Sequence, residues 1–170
     1  MPDWDAIVGQ HGRLVWRTAY RLLGNHADAG DCFQETFLSA LSAARRQQVE
    51  NWGGFLQRLA TARALDRLRH RLRQAGRGGQ LADEATVPCP APGPPMQAEA
   101  QELNEQIRRA LAELPPKQAE AFCLHYLEQW SYQELGQHLG IATNAVGSLL
   151  HRARAGLRET LSSVTSGQES

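Results

Sequence analysis

The chain has 170 residues, with 18 Lys+Arg balancing 18 Asp+Glu, which is enough for one ordinary domain or two small ones but lacks the bulk positive charge of many nucleic-acid binders. No apolar run reaches the roughly 18 residues of a membrane-spanning helix, and the acidic start, MPDWDAIVGQ, lacks the basic-then-apolar layout of a signal peptide; the expectation is a cytoplasmic protein with no membrane insertion of its own. Three scattered cysteines, Cys32, Cys89 and Cys123, argue against a disulfide framework and against a clustered metal site, so two core thiols, one linker thiol, no metal and no cofactor are expected.

Charge is unevenly placed. Residues 1–75 hold 11 Arg against 7 acids, and residues 102–170 hold 6 Lys+Arg against 8 acids. No segment alternates at period two, so an all-α fold is expected. The first helix spans about 3–23, with Trp4, Ile7, Val8, His11, Val15, Ala19 and Leu22 on one stripe, and Gly24-Asn25 ends it. The second spans about 27–44, with Phe33, Phe37, Ala40 and Leu41 inward; Asp28, Asp31 and Glu35 then stack along the far face, bordered by Gln34 and Leu38. An acidic ridge beside an exposed leucine suits a basic helical partner, although Asp28 and Asp31 also suit the positive N-terminal end of their own helix. The third helix starts near Asn51 and runs to Arg73, with Phe55, Leu56, Leu59 and Ala60 inward; its second half, ARALDRLRHRLR, carries a run of arginines that can track a phosphate backbone or simply face solvent.

Residues 76–97, GRGGQLADEATVPCPAPGPPMQ, have the composition of a flexible linker. They divide the chain into a helical lobe at 1–75 and a second at 98–161, with 162–170 expected as a disordered tail. In the second lobe, residues 98–113 place Leu103, Ile107, Ala110 and Leu111 on one face. Pro115-Pro116 breaks the chain and opens a helix carrying Ala119, Phe122, Cys123, Tyr126 and Leu127. Ser131 with Glu134 three residues on is a capping-box pattern, and Trp130 before it can staple onto Leu135. Gly140 supplies a left-handed turn, and the last helix runs from Thr143 or Asn144 to about Leu161. A short helix, a glycine turn and a longer helix is helix-turn-helix spacing.

On a wheel at about 100° per residue, Val146, Leu150, Ala153 and Leu157 form the buried stripe of that last helix, with Leu149 at its edge. The opposite face carries Asn144, Ser148, His151 and Ala155, flanked by Arg152, Arg154 and Arg158. Asn, Ser and His can bond base edges and arginines can reach phosphates; a solvated charged face has the same composition, and the wheel alone does not separate the two. A catalytic grouping of Cys123, His125 and Glu128 has no orienting partner or pocket signature, and no enzyme activity is expected.

Taken in order, these pieces resemble the extracytoplasmic-function (group IV) sigma factors of bacterial RNA polymerase. YRLLGNHADAGDCFQETFLSAL resembles the polymerase-docking part of region 2, FLQRLATARALDRLRHR the helix that engages the −10 element, and LAELPPKQAEAFCLHYLEQWSYQELGQHLGIATNAVGSLLHRARAGLRETL region 4, which recognises the −35 element. The resemblance implies two helical lobes, sigma region 2 and sigma region 4, and a non-enzymatic role in promoter-specific initiation. It implies core RNA polymerase and promoter DNA as partners, with an anti-sigma factor as a further one. Asp28, Asp31, Gln34, Glu35 and Leu38 would bind polymerase. The loop at 45–54 with Trp52, Arg58, Arg63, Arg67, Arg69 and Arg71 would engage the −10 element. Thr143, Asn144, Ser148, His151, Arg152 and Arg154 would face the −35 groove. The chain departs from the family pattern at Gly30, Ala62, Gly147 and Leu149, where an acid, an Asn, a Lys and an Arg are common. An operator-binding helix-turn-helix regulator and a polymerase-binding module without promoter reading are the alternative readings.

Overall fold

In the computed structural model, which describes residues 1–76 and 94–167, all regular structure is helical. Helices α1 (Trp4–Leu23), α2 (His26–Ala44) and α3 (Trp52–Gly76) pack on one another as the first lobe. Helices α4 (Pro94–Glu113), α5 (Pro116–Phe122), α6 (Tyr132–Leu139) and α7 (Thr143–Gly167) form the second, with one π turn (Cys123–Leu127) continuing α5. Local chemistry sets most of these ends. Asp3 and Asn25 accept backbone N–H bonds at the starts of α1 and α2, and Gly24 closes α1 at φ 76°. The capping box of Ser131 and Glu134 is closed in both directions, and Gly140 ends α6 at φ 67°; such a cap contributes about 1 kcal/mol.

The boundaries depart from expectation in the linker and the tail. Helix α4 begins already at Pro94, inside the expected linker; residues 77–93 of that linker, Cys89 among them, lie outside the described residues. Helix α7 continues through Gly167 rather than stopping near Leu161, so most of the expected tail is helical, and residues 168–170 lie outside the described residues. Ser163, Thr165 and Ser166 each donate a side-chain bond to a carbonyl three or four residues back, which satisfies their hydroxyls within the helix.

Several inward faces are rotated from their expected positions. The buried line of α2 is Ala29, Cys32, Thr36 and Ala40, with Phe33 and Phe37 on its flank, their rings tilted at 57° with centroids 4.9 Å apart. Small residues let α2 approach α1 and α3 closely, and a periodicity judged on large apolar residues misses them. Val8 and Leu103 are exposed. The expected stripe on the α5 segment fails at Tyr126, which is also exposed, because the π turn adds a residue to the turn: Glu128 N–H bonds back to Cys123 O at 3.2 Å and Trp130 N–H to Leu124 O at 2.9 Å. Leu124, three residues after Ala121 on the same helical face, is buried with it in one cluster, and Gln129, at φ 61°, redirects the chain into α6.

The two lobes do not stand apart. One core runs through both, joining Ala64, Leu65 and Leu68 of α3 to Leu111, Cys123 and Leu157 of the second lobe. Separate satellite cores lie under Trp4, Ile7 and Leu56 in the first lobe and under Leu124, Leu135 and Val146 in the second. Burial pushes the Cys32 thiol up to about 11 and the Cys123 thiol to about 12. A raised thiol pKa reduces the reactive thiolate at any working pH below it. Both cysteines are therefore expected to resist an alkylating reagent at pH 8 in the native protein and to react readily in denaturant, as mass spectrometry of the labelled peptides will report.

Candidate functional site

The helix-turn-helix is built on a close backbone approach. A Cβ on Gly136 would lie 2.8 Å from the Ile141 carbonyl oxygen, and the Ile141 N–H bonds to Gly136 O at 3.0 Å. Gly136 is thus the contact point between α6 and the turn into α7. Helix α7 buries Val146, Leu150, Ala153 and Leu157, as the wheel places them, and Leu149 packs at the edge of the satellite core with Trp130, Leu139 and Ile141. Gly147 has ordinary space around it, with Tyr132 Cε2 3.6 Å from the position of a Cβ. Gly147→Ala is therefore expected to stabilise the fold by up to about 1 kcal/mol through helix propensity, whereas Gly136→Ala is expected to destabilise it by about 1–3 kcal/mol because backbone must shift; thermal or urea melts of both variants check the contrast.

Thr143, Asn144, Ser148, His151, Arg152 and Arg154 are all exposed on one side of α7. The side chains of Asn144, His151, Arg152 and Arg154 make no hydrogen bond or ion pair with the described residues. The face expected to meet a DNA groove is therefore open, with its donors unengaged.

The arginines of α3 are arranged differently from expectation. Along the sequence the acidic ridge of α2 and the basic run of α3 read as two separate surfaces, but the fold presses them together. Arg67 donates to Glu35 at 2.6 Å and lies 3.7–3.8 Å from Asp31 and Asp28. Burial alone would lower the pKa of its guanidinium, but the bond and charge of Glu35, with Asp31 and Asp28, hold it above its ordinary value. Arg71 donates to Leu23 O and also reaches Asp28 and Glu105. Arg69 pairs with Asp66, and Arg63 donates to Ser39 Oγ. Most of the run therefore neutralises the protein's own carboxylates, and of these four arginines Arg63 alone is exposed.

On the ridge itself, Asp31 and Leu38 stay open, at 64% and 65% exposed, and Gln34 is exposed beside them. Asp28 is partly engaged as an N-terminal partner of Asn25. Trp52 lies edge-on to Trp4 and Phe55 in the satellite core, at 5.4 and 6.0 Å, so it packs rather than standing free as a stacking platform. Arg58 sits over the Phe55 ring and, across the lobes, 2.6 Å from His138 Nδ1. A guanidinium only donates, so Nδ1 accepts and Nε2 carries the hydrogen given to Glu120 Oε1 at 2.6 Å.

The grouping of Cys123, His125 and Glu128 does not form a reactive set. Cys123 faces the core, His125 bonds the Trp130 carbonyl, and Glu128 is held by the first lobe. Among the described residues no group of three or more His, Cys, Asp or Glu could hold a metal ion, and no helix is long and apolar enough to cross a membrane. Thr18 and Gln57 meet Glu128, and Arg58 meets His138, across the lobes over separations of 71 to 110 residues; no local signal marks such pairs.

Fold and open face together define an all-helical, two-lobed helix-turn-helix protein. The sigma-70 region 2 family model matches residues 7–74 and the sigma-70 region 4 model residues 104–157. Among similar proteins, the ECF RNA polymerase sigma factor SigE of Mycolicibacterium smegmatis is 36% identical over 95% of this chain, which spans 62% of that protein's length. The RNA polymerase sigma factor CarQ of Myxococcus xanthus is 31% identical over 93% of this chain and 88% of its own. The sigma factor RpoE of Bartonella quintana, solved in complex with the anti-sigma factor NepR, shares the fold at a TM-score of 0.54 and 23% identity, covering 95% of this chain and 98% of that one. The chain belongs to the ECF sigma factors of bacterial RNA polymerase, with sigma-70 region 2 in its first lobe and region 4 in its second.

Proposed function

We propose that this chain is a dissociable initiation factor that acts in the cytoplasm, binds core RNA polymerase through α2, and directs initiation at promoters carrying −35 and −10 elements. The observation that carries this reading is the open face of α7: Asn144, Ser148, His151, Arg152 and Arg154 project to solvent while the opposite stripe is buried. Asn144 and Arg152 can make base-edge contacts in a major groove, and Arg154 a phosphate contact. Asp31, Gln34 and Leu38 supply the exposed part of the polymerase-docking ridge, with Asp28 and Glu35 shared between partner and Arg67. At the −10 element the loop at 45–54, Arg58 and Arg63 take the reading role, and Arg67, Arg69 and Arg71 support the helix that presents them. Polymerase carries out the bond-forming chemistry, and the chain contributes binding and melting. Tethering two weak DNA-reading lobes gives each a high effective concentration at its element. An anti-sigma factor is its expected restraining partner.

The test is to combine the purified chain with bacterial core polymerase and fragmented host DNA and to map transcript 5′ ends. Discrete starts with shared −35 and −10 sequences are expected. Co-elution with polymerase without any starts would favour a module that binds polymerase and reads no promoter; duplex binding without co-elution would favour an operator-binding regulator.

A further inference from the structure

Arg63 and Arg67 stand about one turn apart on α3 and meet different chemistry on α2. Arg63 donates to the Ser39 hydroxyl and stays exposed, so its charge is not neutralised there. Arg67 is turned onto the acidic ridge, with Glu35, Asp31 and Asp28 at 2.6, 3.7 and 3.8 Å. Only the contact with Glu35 is a hydrogen bond; the other two lie beyond hydrogen-bond length. The Arg67 Nε is buried and finds no acceptor among the described residues. One guanidinium therefore faces three carboxylates with its bonding capacity largely unused.

The three carboxylates are not equally committed to it. Asp28 is also held by Asn25 and Arg71, and Arg71 has its own anchors in Leu23 O and Glu105. Asp31 and Glu35 pair with no cation but Arg67 among the described residues, and the Glu35 side chain is still 42% exposed. The packing of α2 on α3 does not depend on this pair. Cys32 is buried in one core with Ala64 and Leu68, and Ala40 in another with Leu56 and Ala60, so the two helices stay together when the ion pair opens.

We propose that Arg67 is a specificity-determining residue for polymerase docking: an internal cation that occupies the ridge and yields Glu35 and Asp31 to a basic residue of the partner. This deepens the sigma-factor reading and rests on it. Docking is then an exchange of one ion pair for another, and the partner gains only the excess of its own pairing over that of Arg67. A stray ammonium or a poorly aimed cation replaces what it breaks and gains little. A guanidinium presented as a fork to the carboxylates makes two parallel bonds where Arg67 makes one, so the internal competitor discriminates against the wrong basic surface. The residue at position 67 thereby sets how strongly this chain competes for polymerase.

The test measures the affinity of the labelled full chain for core polymerase by fluorescence anisotropy. Arg67→Met keeps an apolar stem and removes the competitor; it is expected to bind roughly fivefold more tightly, the size of a part-exposed ion pair. Arg67→Gln can still donate to Glu35 and so preserves the α2–α3 pairing; a smaller gain of the same sign is expected, and it carries the test if Arg67→Met loses its helical circular-dichroism spectrum. A double-mutant cycle with Glu35→Gln separates competition from simple removal of a positive charge near the ridge. Under competition, Glu35→Gln costs roughly fivefold more affinity in the Arg67→Met background than in the parent, because Glu35 is then free before docking. Equal costs in the two backgrounds would overturn the competitor role, as would folded Arg67 variants that bind no more tightly than the parent, while the sigma-factor reading would survive both. Absence of polymerase binding by the parent chain would overturn that reading, and the role of Arg67 with it.

Discussion

Asp31→Lys is expected to weaken binding to core polymerase about 100-fold or more, roughly 3 kcal/mol, because a like charge placed against a basic partner costs several kcal/mol at an interface. Position 31 is the appropriate one to reverse. Its carboxylate is 64% exposed and only 3.7 Å from Arg67, whereas Glu35 holds Arg67 at 2.6 Å. Reversal at Glu35 would disturb the α2–α3 pairing as well as any docking, so its effect could not be assigned. Leu38→Glu is the companion change. Leu38 is 65% exposed on the same side of α2, supports no core contact there, and is the apolar element a docking helix would bury. Both variants should melt within a degree or two of the parent, since surface substitutions away from packed features change stability little. Fluorescence anisotropy of the labelled chain titrated with core polymerase gives the affinity, and an unchanged value for both variants would remove α2 as the docking helix.

Asn144→Ala and Arg152→Ala are expected to remove discrimination at the −35 element, each by about 1–3 kcal/mol at the base it reads. Both side chains are exposed on α7, and alanine favours the helix, so a stability loss will not obscure the result. Arg154→Ala is expected to act differently, weakening binding to all sequences and lowering the salt slope by about one, as loss of a phosphate contact does. Run-off transcription from a promoter series mutated singly through the −35 element separates the two behaviours. If Asn144→Ala and Arg152→Ala retain the full −35 dependence, α7 is not the reader. Leu149 packs into the satellite core and Gly147 offers no side chain, so base reading on this helix depends on few residues, and each should carry a large share.

How much of this was legible beforehand follows from the range of the interactions. The capping box at Ser131, the left-handed glycines at 24 and 140 and the buried stripe of α7 all depend on neighbours within a few residues, and these were readable in one dimension. The open face of α7 followed from its stripe by geometry alone. The rotation of α2 was not readable, because Cys32, Thr36 and Ala40 are small and their burial reflects how closely α1 and α3 approach. The π turn was not readable either: Tyr126 lies exposed within it, and no residue preference announces it. The fate of the α3 arginines was decided by an adjacent helix, since Arg67 and Arg71 lie across from Asp28 and Glu35 only once α2 and α3 pack.

The amino-acid sequence by itself thus determined the helices, their caps, the helix-turn-helix and the face that points outward, all through contacts between residues close in the chain. Only the tertiary structure decided which charges remain available and whether the lobes are apart or joined. Those outcomes depend on pairs such as Thr18 with Glu128 and Gln57 with Trp130, whose meeting is enforced by the shared core of Leu65, Leu68 and Leu111 and by the requirement that buried polar groups be matched.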